Sequence, residues 1–314
     1  MDAFELTAAD GRSIPVCRWM PVIPARGVVL VSHGMSEYAA RYDRLARTLV
    51  EAGYAVYAHD HRGHGARAEV RGLFAVKDGW QRVLGDLDNV RRRAEDDNPG
   101  LPLFVFGHSM GSFIARAHFL SRGEGLAGLV LSATGYRQSA MARVMRAVAG
   151  LAGRGGRSAV ASPFMAKLVF GSFNLGFVPA RTPVDWLSRD RDEVDRYRAD
   201  ALCGFAPTPS LWSDLFGGIL AMEREEKAGR GLNTGCPVLL FAGSRDPVSL
   251  GAFGLGQLAR RYRQAGLADV TVKVYPGGRH EMHNETNRED VEADLIAWLD
   301  AHRPATQNHA PHAA

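Results

Sequence analysis

Short runs of β-branched and aromatic residues alternate along the chain with longer stretches whose apolar positions recur every three or four residues. That alternation predicts a mostly parallel sheet covered by helices on both faces. The strand candidates are residues 28–31, 55–58, 103–106, 126–131, 238–241 and 270–274. Between them lie amphipathic segments, such as 41–52 with Leu45 and Leu49 on one face, and 291–302 with Val291, Leu295, Trp298 and Leu299 at helical spacing. Asn287 is a candidate N-cap for the latter. The opening segment, including residues 14–18, reads as antiparallel strands at one sheet edge, and 304–314 as a polar, disordered tail.

One interval breaks the pattern. Roughly a hundred residues separate the strand ending near Ser132 from the one starting near Pro237, where a connection normally takes a few. The excess predicts a cap over residues 136–212, inserted into a core made of 1–135 and 213–302, with 303–314 as the tail. The cap opens with a candidate helix from Met141 to Leu151, carrying Met141, Val144, Met145 and Val148 on one face. A Gly/Ser/Ala loop follows, and then Ser162 and Pro163 supply an N-cap and a first-turn proline for a second helix. From Ser213 to about Ala228 the chain returns as a helix covering the sheet.

Composition sharpens this picture in three ways. With 314 residues, 46% of them apolar and 9% aromatic, the chain can bury a substantial core. No apolar run approaches the roughly 20 residues of a membrane-spanning helix, and residues 1–10 lack a basic segment followed by an apolar one, so a soluble cytoplasmic protein is expected. The three cysteines, Cys17, Cys203 and Cys236, have no metal-type spacing and predict neither a disulfide framework nor a zinc site. A net charge of +4 is a mild excess. The run Arg91-Arg92-Arg93 reads as a solvated helix face, and no nucleic-acid motif accompanies it.

The chemistry concentrates at strand ends. Leu103-Phe104-Val105-Phe106-Gly107-His108-Ser109-Met110-Gly111 is a strand running into Gly-x-Ser-x-Gly, with helix-forming residues after it. A serine on such a sharp strand-to-helix turn stands exposed above the sheet. Its hydroxyl is a poor nucleophile until a base takes its proton, and that base needs a carboxylate to orient it. Residues 238–241 lead into Gly243-Ser244-Arg245-Asp246, and 270–274 lead into Gly277-Gly278-Arg279-His280. The order Ser109, Asp246, His280 is the one the α/β-hydrolase fold requires. Ser109 is thus the expected nucleophile, His280 the general base and Asp246 the orienting acid. The oxyanion donors nominated are the backbone N–H groups of Met110, after the nucleophile, and of Met35, in the His33-Gly34-Met35 turn.

Taken together, His33-Gly34-Met35-Ser36-Glu37 with Arg41-Tyr42, Asp60-His61-Arg62-Gly63-His64-Gly65, the Ser109 motif, the Asp246 loop and Arg279-His280-Glu281 resemble the monoacylglycerol lipase and lysophospholipase branch of the α/β-hydrolases. Asp185-Trp186-Leu187-Ser188-Arg189-Asp190, within the cap, is similar to lysophospholipase-like bacterial members. Ser112 departs from the pattern, standing where lipolytic relatives often carry a second glycine, as does Ala66-Arg67 after Gly65. The resemblance implies a mostly parallel eight-stranded sheet with helices on both faces and a helical cap inserted after strand 6. It also implies hydrolysis of esters of single-chain lipids without a cofactor. Phe164, Phe170, Phe173 and Trp186 are candidates for lining an acyl pocket, and 141–151 is a candidate surface for transient contact with micelles or membranes.

Other readings stay open at this point. The same triad serves small-ester hydrolysis, thioester hydrolysis and acyl transfer, and a catalytically silent member would keep the pocket as a binding site. A metal enzyme is disfavoured, because His283 follows His280 by three positions and so misses the spacing that puts two helical histidines on one metal.

Overall fold

The computed structural model describes residues 1–136 and 139–303. The expected tail from 304 onward lies outside the described residues.

Eight strands form one sheet in the order β1-β2-β4-β3-β5-β6-β7-β8. The edge hairpin β1 (Asp2–Thr7) and β2 (Ser13–Trp19) is antiparallel and pairs antiparallel with β4 (Tyr54–His59). From β3 (Gly27–Ser32) outward, β5 (Leu103–His108), β6 (Gly128–Ser132), β7 (Val238–Gly243) and β8 (Val270–Tyr275) are parallel. The central strands are buried on both faces, which is why they read as continuous apolar runs rather than alternating ones. Val28 and Leu30 point into one core layer, Val29 and Val31 into the other.

The first layer is closed by α2 (Gly79–Asp97), α3 (Met110–Arg122), α7 (Pro209–Lys227) and α8 (Gly251–Gln264). The second is closed by α1 (Asp43–Glu51) and α9 (Arg288–Ala301). The cap between β6 and α7 contributes α4 (Ser139–Ala152), α5 (Pro163–Asn174) and α6 (Arg191–Ala199).

Several expectations are corrected. Asn287 does precede α9, but its side chain makes no capping bond; its Oδ1 accepts instead from the Arg189 guanidinium. The covering helix α7 starts at Pro209 rather than Ser213, because Thr208 caps it by accepting from the Leu211 N–H, so Trp212 belongs to the core helix and not to the cap. Arg91 is buried and bonds the carbonyls of Arg122 and Glu124; Arg92 is exposed, and Arg93 is half-buried over the Phe4 ring. On α4 the residues pressed against the core are Ala142 and Ala149, flanked by Met145 and Val148, while Met141 and Val144 face outward. By contrast, Ser162 caps α5 as expected, accepting from the Met165 N–H. All three cysteines are free.

Candidate active site

The strand order reverses direction at β3 and β5, so the loops leaving their carboxyl ends diverge and open a crevice between them, the usual place for a ligand in an open α/β sheet. Ser109 sits there. Its φ of 52° and ψ of −120° fall in a region that side-chain-bearing residues rarely occupy, and the turn is held by the Ser109 N–H donating to the Ser132 carbonyl at 3.0 Å. The glycine at 111 is required by contact: a Cβ there would lie 2.0 Å from the Ser32 carbonyl oxygen. Ser112, the residue that departs from the lipolytic pattern, uses its hydroxyl to bond the Ser109 carbonyl at 2.6 Å and so tightens the first turn of α3.

Asp246 and His280 arrive from the ends of β7 and β8. The two are 2.7 Å apart, His280 Nδ1 to Asp246 Oδ1, and both side chains are buried. The Asp246 carboxylate also accepts the N–H groups of Val248 at 3.0 Å and Ser249 at 3.1 Å, which fixes its plane. The loop bearing His280 is pinned from above: the His280 and Glu281 N–H groups donate to the carbonyls of Trp186 and Leu187 in the cap. Two neighbouring histidines stay neutral. Burial drives the His108 ring well below the ordinary imidazole range and the His283 ring down to about 3, so neither presents a competing cation beside His280.

Ser109 and His280 share the wall of a roofed cavity of about 80 Å³ with Gly34, Met35, Phe170, Phe173, Trp186 and Leu187. Met35, nominated as an oxyanion donor, lines this cavity. Met110 opens α3, so its N–H is one that the helix leaves without an intrahelical acceptor, while its side chain lies in the core. Of the nominated pocket residues, Phe170, Phe173 and Trp186 line the cavity; Phe164 does not, being 64% exposed on the outer side of α5.

The structure adds residues to which the sequence assigned no role. Arg41 donates to Glu37 at 2.6 Å and grips both Glu281 oxygens at 3.1 and 3.0 Å, and its guanidinium lies over the ring of the cap residue Tyr197. Glu37 in turn accepts from the Gly34 N–H, beside the Met35 amide. These charged residues were visible as neighbours of the motifs, but only the fold puts the three side chains in contact. The His33, His59, His61 and His64 cluster lies behind the site, and among the described residues no group of three or more His, Cys, Asp or Glu side chains is arranged to hold a metal ion.

A sheet of this order, with a serine elbow at its switch point and a cap between β6 and the helix that follows, defines the α/β-hydrolase class. Residues 23–287 match the family model described as serine aminopeptidase, S33. The chain is 32% identical to monoglyceride lipase of Homo sapiens over 90% of its own length and 85% of the relative's, and 29% identical to monoacylglycerol lipase of Mycolicibacterium smegmatis over 90% and 91%. Among solved structures, a thermostable carboxyl esterase from Bacillus coagulans in complex with glycerol superposes with a TM-score of 0.87 at 29% identity, covering 96% of this chain and 98% of the other. The chain belongs to this hydrolase family, in its monoacylglycerol lipase-like branch, and is a carboxylic ester hydrolase.

Proposed function

We propose that the protein hydrolyses esters of single-acyl-chain lipids, of the monoacylglycerol or lysophospholipid type, through an acyl-enzyme at Ser109. The observation that carries this reading is the 2.7 Å bond between His280 and Asp246 beneath a cap whose inner wall is apolar, with Ser109 on the same cavity. In the acylation step His280 Nε2 takes the hydroxyl proton as Ser109 Oγ attacks the ester carbonyl, and Asp246 holds the Nδ1–H of the imidazolium. The N–H groups of Met110 and Met35 receive the oxyanion. The imidazolium then protonates the leaving alcohol, and a water activated by the same ring releases the fatty acid. The relatives named as monoglyceride lipases support the substrate class.

The cavity volume constrains how such a lipid enters. About 80 Å³ accommodates the ester and a short acyl segment, whereas drug-sized ligands occupy several hundred Å³. A long chain therefore requires α5 to shift, bringing Phe170 and Phe173 away from Trp186. The cap also carries the molecule to the micelle or membrane surface that holds the substrate, through the outward-facing apolar residues of α4 and α5.

The test is a panel of glycerol monoesters from acetyl to dodecanoyl, lysophospholipids and p-nitrophenyl esters, below the micelle threshold, with the parent and Ser109→Ala. kcat/KM should climb with acyl length to at least octanoyl, each methylene contributing up to about 0.8 kcal/mol. Ser109→Ala should lose roughly three orders of magnitude or more. A steady fall beyond butyryl would leave a small-ester hydrolase instead.

A further inference from the structure

The charge of this chain is unevenly distributed. Residues 139–184, which span α4, α5 and the loops around them, contain Arg143, Arg146, Arg154, Arg157, Lys167 and Arg181 and not one Asp or Glu. Because the whole chain carries a net +4, the remainder is net acidic by two, and the entire basic excess resides in the first half of the cap. Elsewhere most arginines are neutralised in ion pairs, as Arg41, Arg62 and Arg116 are. In the cap, Arg143, Arg154, Arg157 and Lys167 are exposed and have no ion-pair partner among the described residues.

The same stretch holds eight of the sixteen large apolar side chains that stand exposed among the described residues, including Met141, Val144, Leu151, Phe164, Leu168 and Leu175. No described residue covers them. On α4 the arrangement has a packing cause: the helix lies on α7 through Ala142 and Ala149, so Met141, Val144 and Leu151 are left on the outside, interleaved with Arg143 and Arg146. The basic character continues along the α4–α7 groove, where Arg224, Lys227 and Arg261 join them against Glu223 and an Arg116-paired Glu226.

Exposed apolar side chains set among unpaired cations are the composition of a segment that lies in a bilayer interface, with its carbon entering the acyl region and its cations among the headgroups. Unneutralised charge of one sign selects for lipids of the other. Resting on the reading of the protein as a lipid ester hydrolase, we propose that residues 139–184 dock on an anionic bilayer and discriminate it from a zwitterionic one. An acidic protein or a nucleic acid would satisfy the cations but would leave the eight apolar side chains in water. A bilayer takes up both, and its surface faces the roof of the Ser109 cavity, through which a single-chain ester would pass.

The experiment is vesicle flotation of the Ser109→Ala protein, which binds without turnover, on phosphatidylcholine alone and with about 30% phosphatidylglycerol. The anionic vesicles should take up the protein about tenfold more strongly, and about 0.5 M NaCl should erase the preference. The quadruple substitution Arg143→Gln, Arg154→Gln, Arg157→Gln, Lys167→Gln should abolish discrimination, while in an otherwise parental background it keeps the parent's Tm and hydrolysis of a soluble acetyl ester. Val144→Ser with Phe164→Ser should weaken uptake by both vesicle types. Equal uptake by the two vesicles, uptake by neither, or capture by duplex DNA in place of vesicles would each overturn the proposal. None of these outcomes depends on substrate turnover, so a failure of the ester panel is separately visible.

Discussion

Arg41 shows how much a single side chain connects at this site. Its guanidinium bonds Glu37, which holds the backbone of the turn carrying the Met35 amide, and Glu281, which follows His280; its face covers Tyr197 of the cap, whose hydroxyl bonds the Ser36 carbonyl. Two buried carboxylates share one cation, and their protonation is driven apart. Burial would raise both; Arg41 overrides it at Glu281, which is held down at about 2, while the Glu37 carboxyl remains pushed up. Arg41 thus links the turn carrying Met35, the proposed oxyanion donor, to His280, the proposed base, and is a positioning residue in that reading. Arg41→Met should reduce kcat by about tenfold to a hundredfold with KM little changed, since a misplacement near 1 Å has that cost. Arg41→Lys, which keeps the charge without the planar fork, should recover part of the loss. Rates are to be expressed per serine titrated with a fluorophosphonate. If kcat per titrated site stayed within about twofold of the parent, the bridge would matter only for stability.

Among the helices, the junction of α3, α7 and α8 rests on a buried ion pair. Arg116 binds Glu226 through two hydrogen bonds of 2.9 and 2.7 Å, and Tyr262 of α8 donates to the same carboxylate. The remaining Arg116 nitrogen bonds Thr134 and the Gly135 carbonyl, where the chain leaves β6 for the cap. Both partners are almost wholly excluded from water, so removing one strands the other. Glu226→Leu should destabilise the fold by about 3–5 kcal/mol in urea, and adding Arg116→Met should restore much of that loss. A cost below about 1 kcal/mol for the single substitution would show that water reaches the pair.

At the scale of the whole molecule, stability should depend steeply on acid. His33, His61 and His108 are held well below the ordinary range by burial, His59 and His283 lie at about 3 and His64 at about 4. Their folded values are depressed, so the unfolded chain binds protons that the fold refuses. Stability is therefore level above about pH 7 and falls as pH drops below the free-imidazole value. Each such ring contributes a loss on the order of 2 kcal/mol by pH 5. Asp214, raised to about 6 by burial, works in the opposite direction, as do the buried carboxyls of Glu37, Asp60, Asp86 and Glu292, which are also pushed up, so they offset part of the fall. Urea midpoints measured between pH 8 and pH 5 should fall sharply over the lower half of that range. A flat profile would mean that the rings are hydrated or already protonated in the fold.

The class of sheet, the position of its inserted cap and the three residues at strand ends were legible from the chain alone, because each is set by local physics. A parallel strand covered on both faces must be apolar throughout, and a Gly-x-Ser-x-Gly elbow is a backbone requirement confined to five residues. What the chain could not disclose is decided by approach between distant segments. Met141, Val144, Met145 and Val148, which the spacing puts on one face of α4, are divided between core and water because close helix packing on α7 chooses Ala142 and Ala149, small residues that apolar periodicity undervalues. Phe164 and Trp212 have the same apolar character in sequence, yet one faces water and the other lies in the core, according to where Thr208 starts α7 and which side of α5 packs against the core. Arg41, Glu37 and Glu281 become a bridge only when β3 and β8 bring their loops to one edge, since a hydrogen bond spanning 240 positions leaves no periodic trace along the chain.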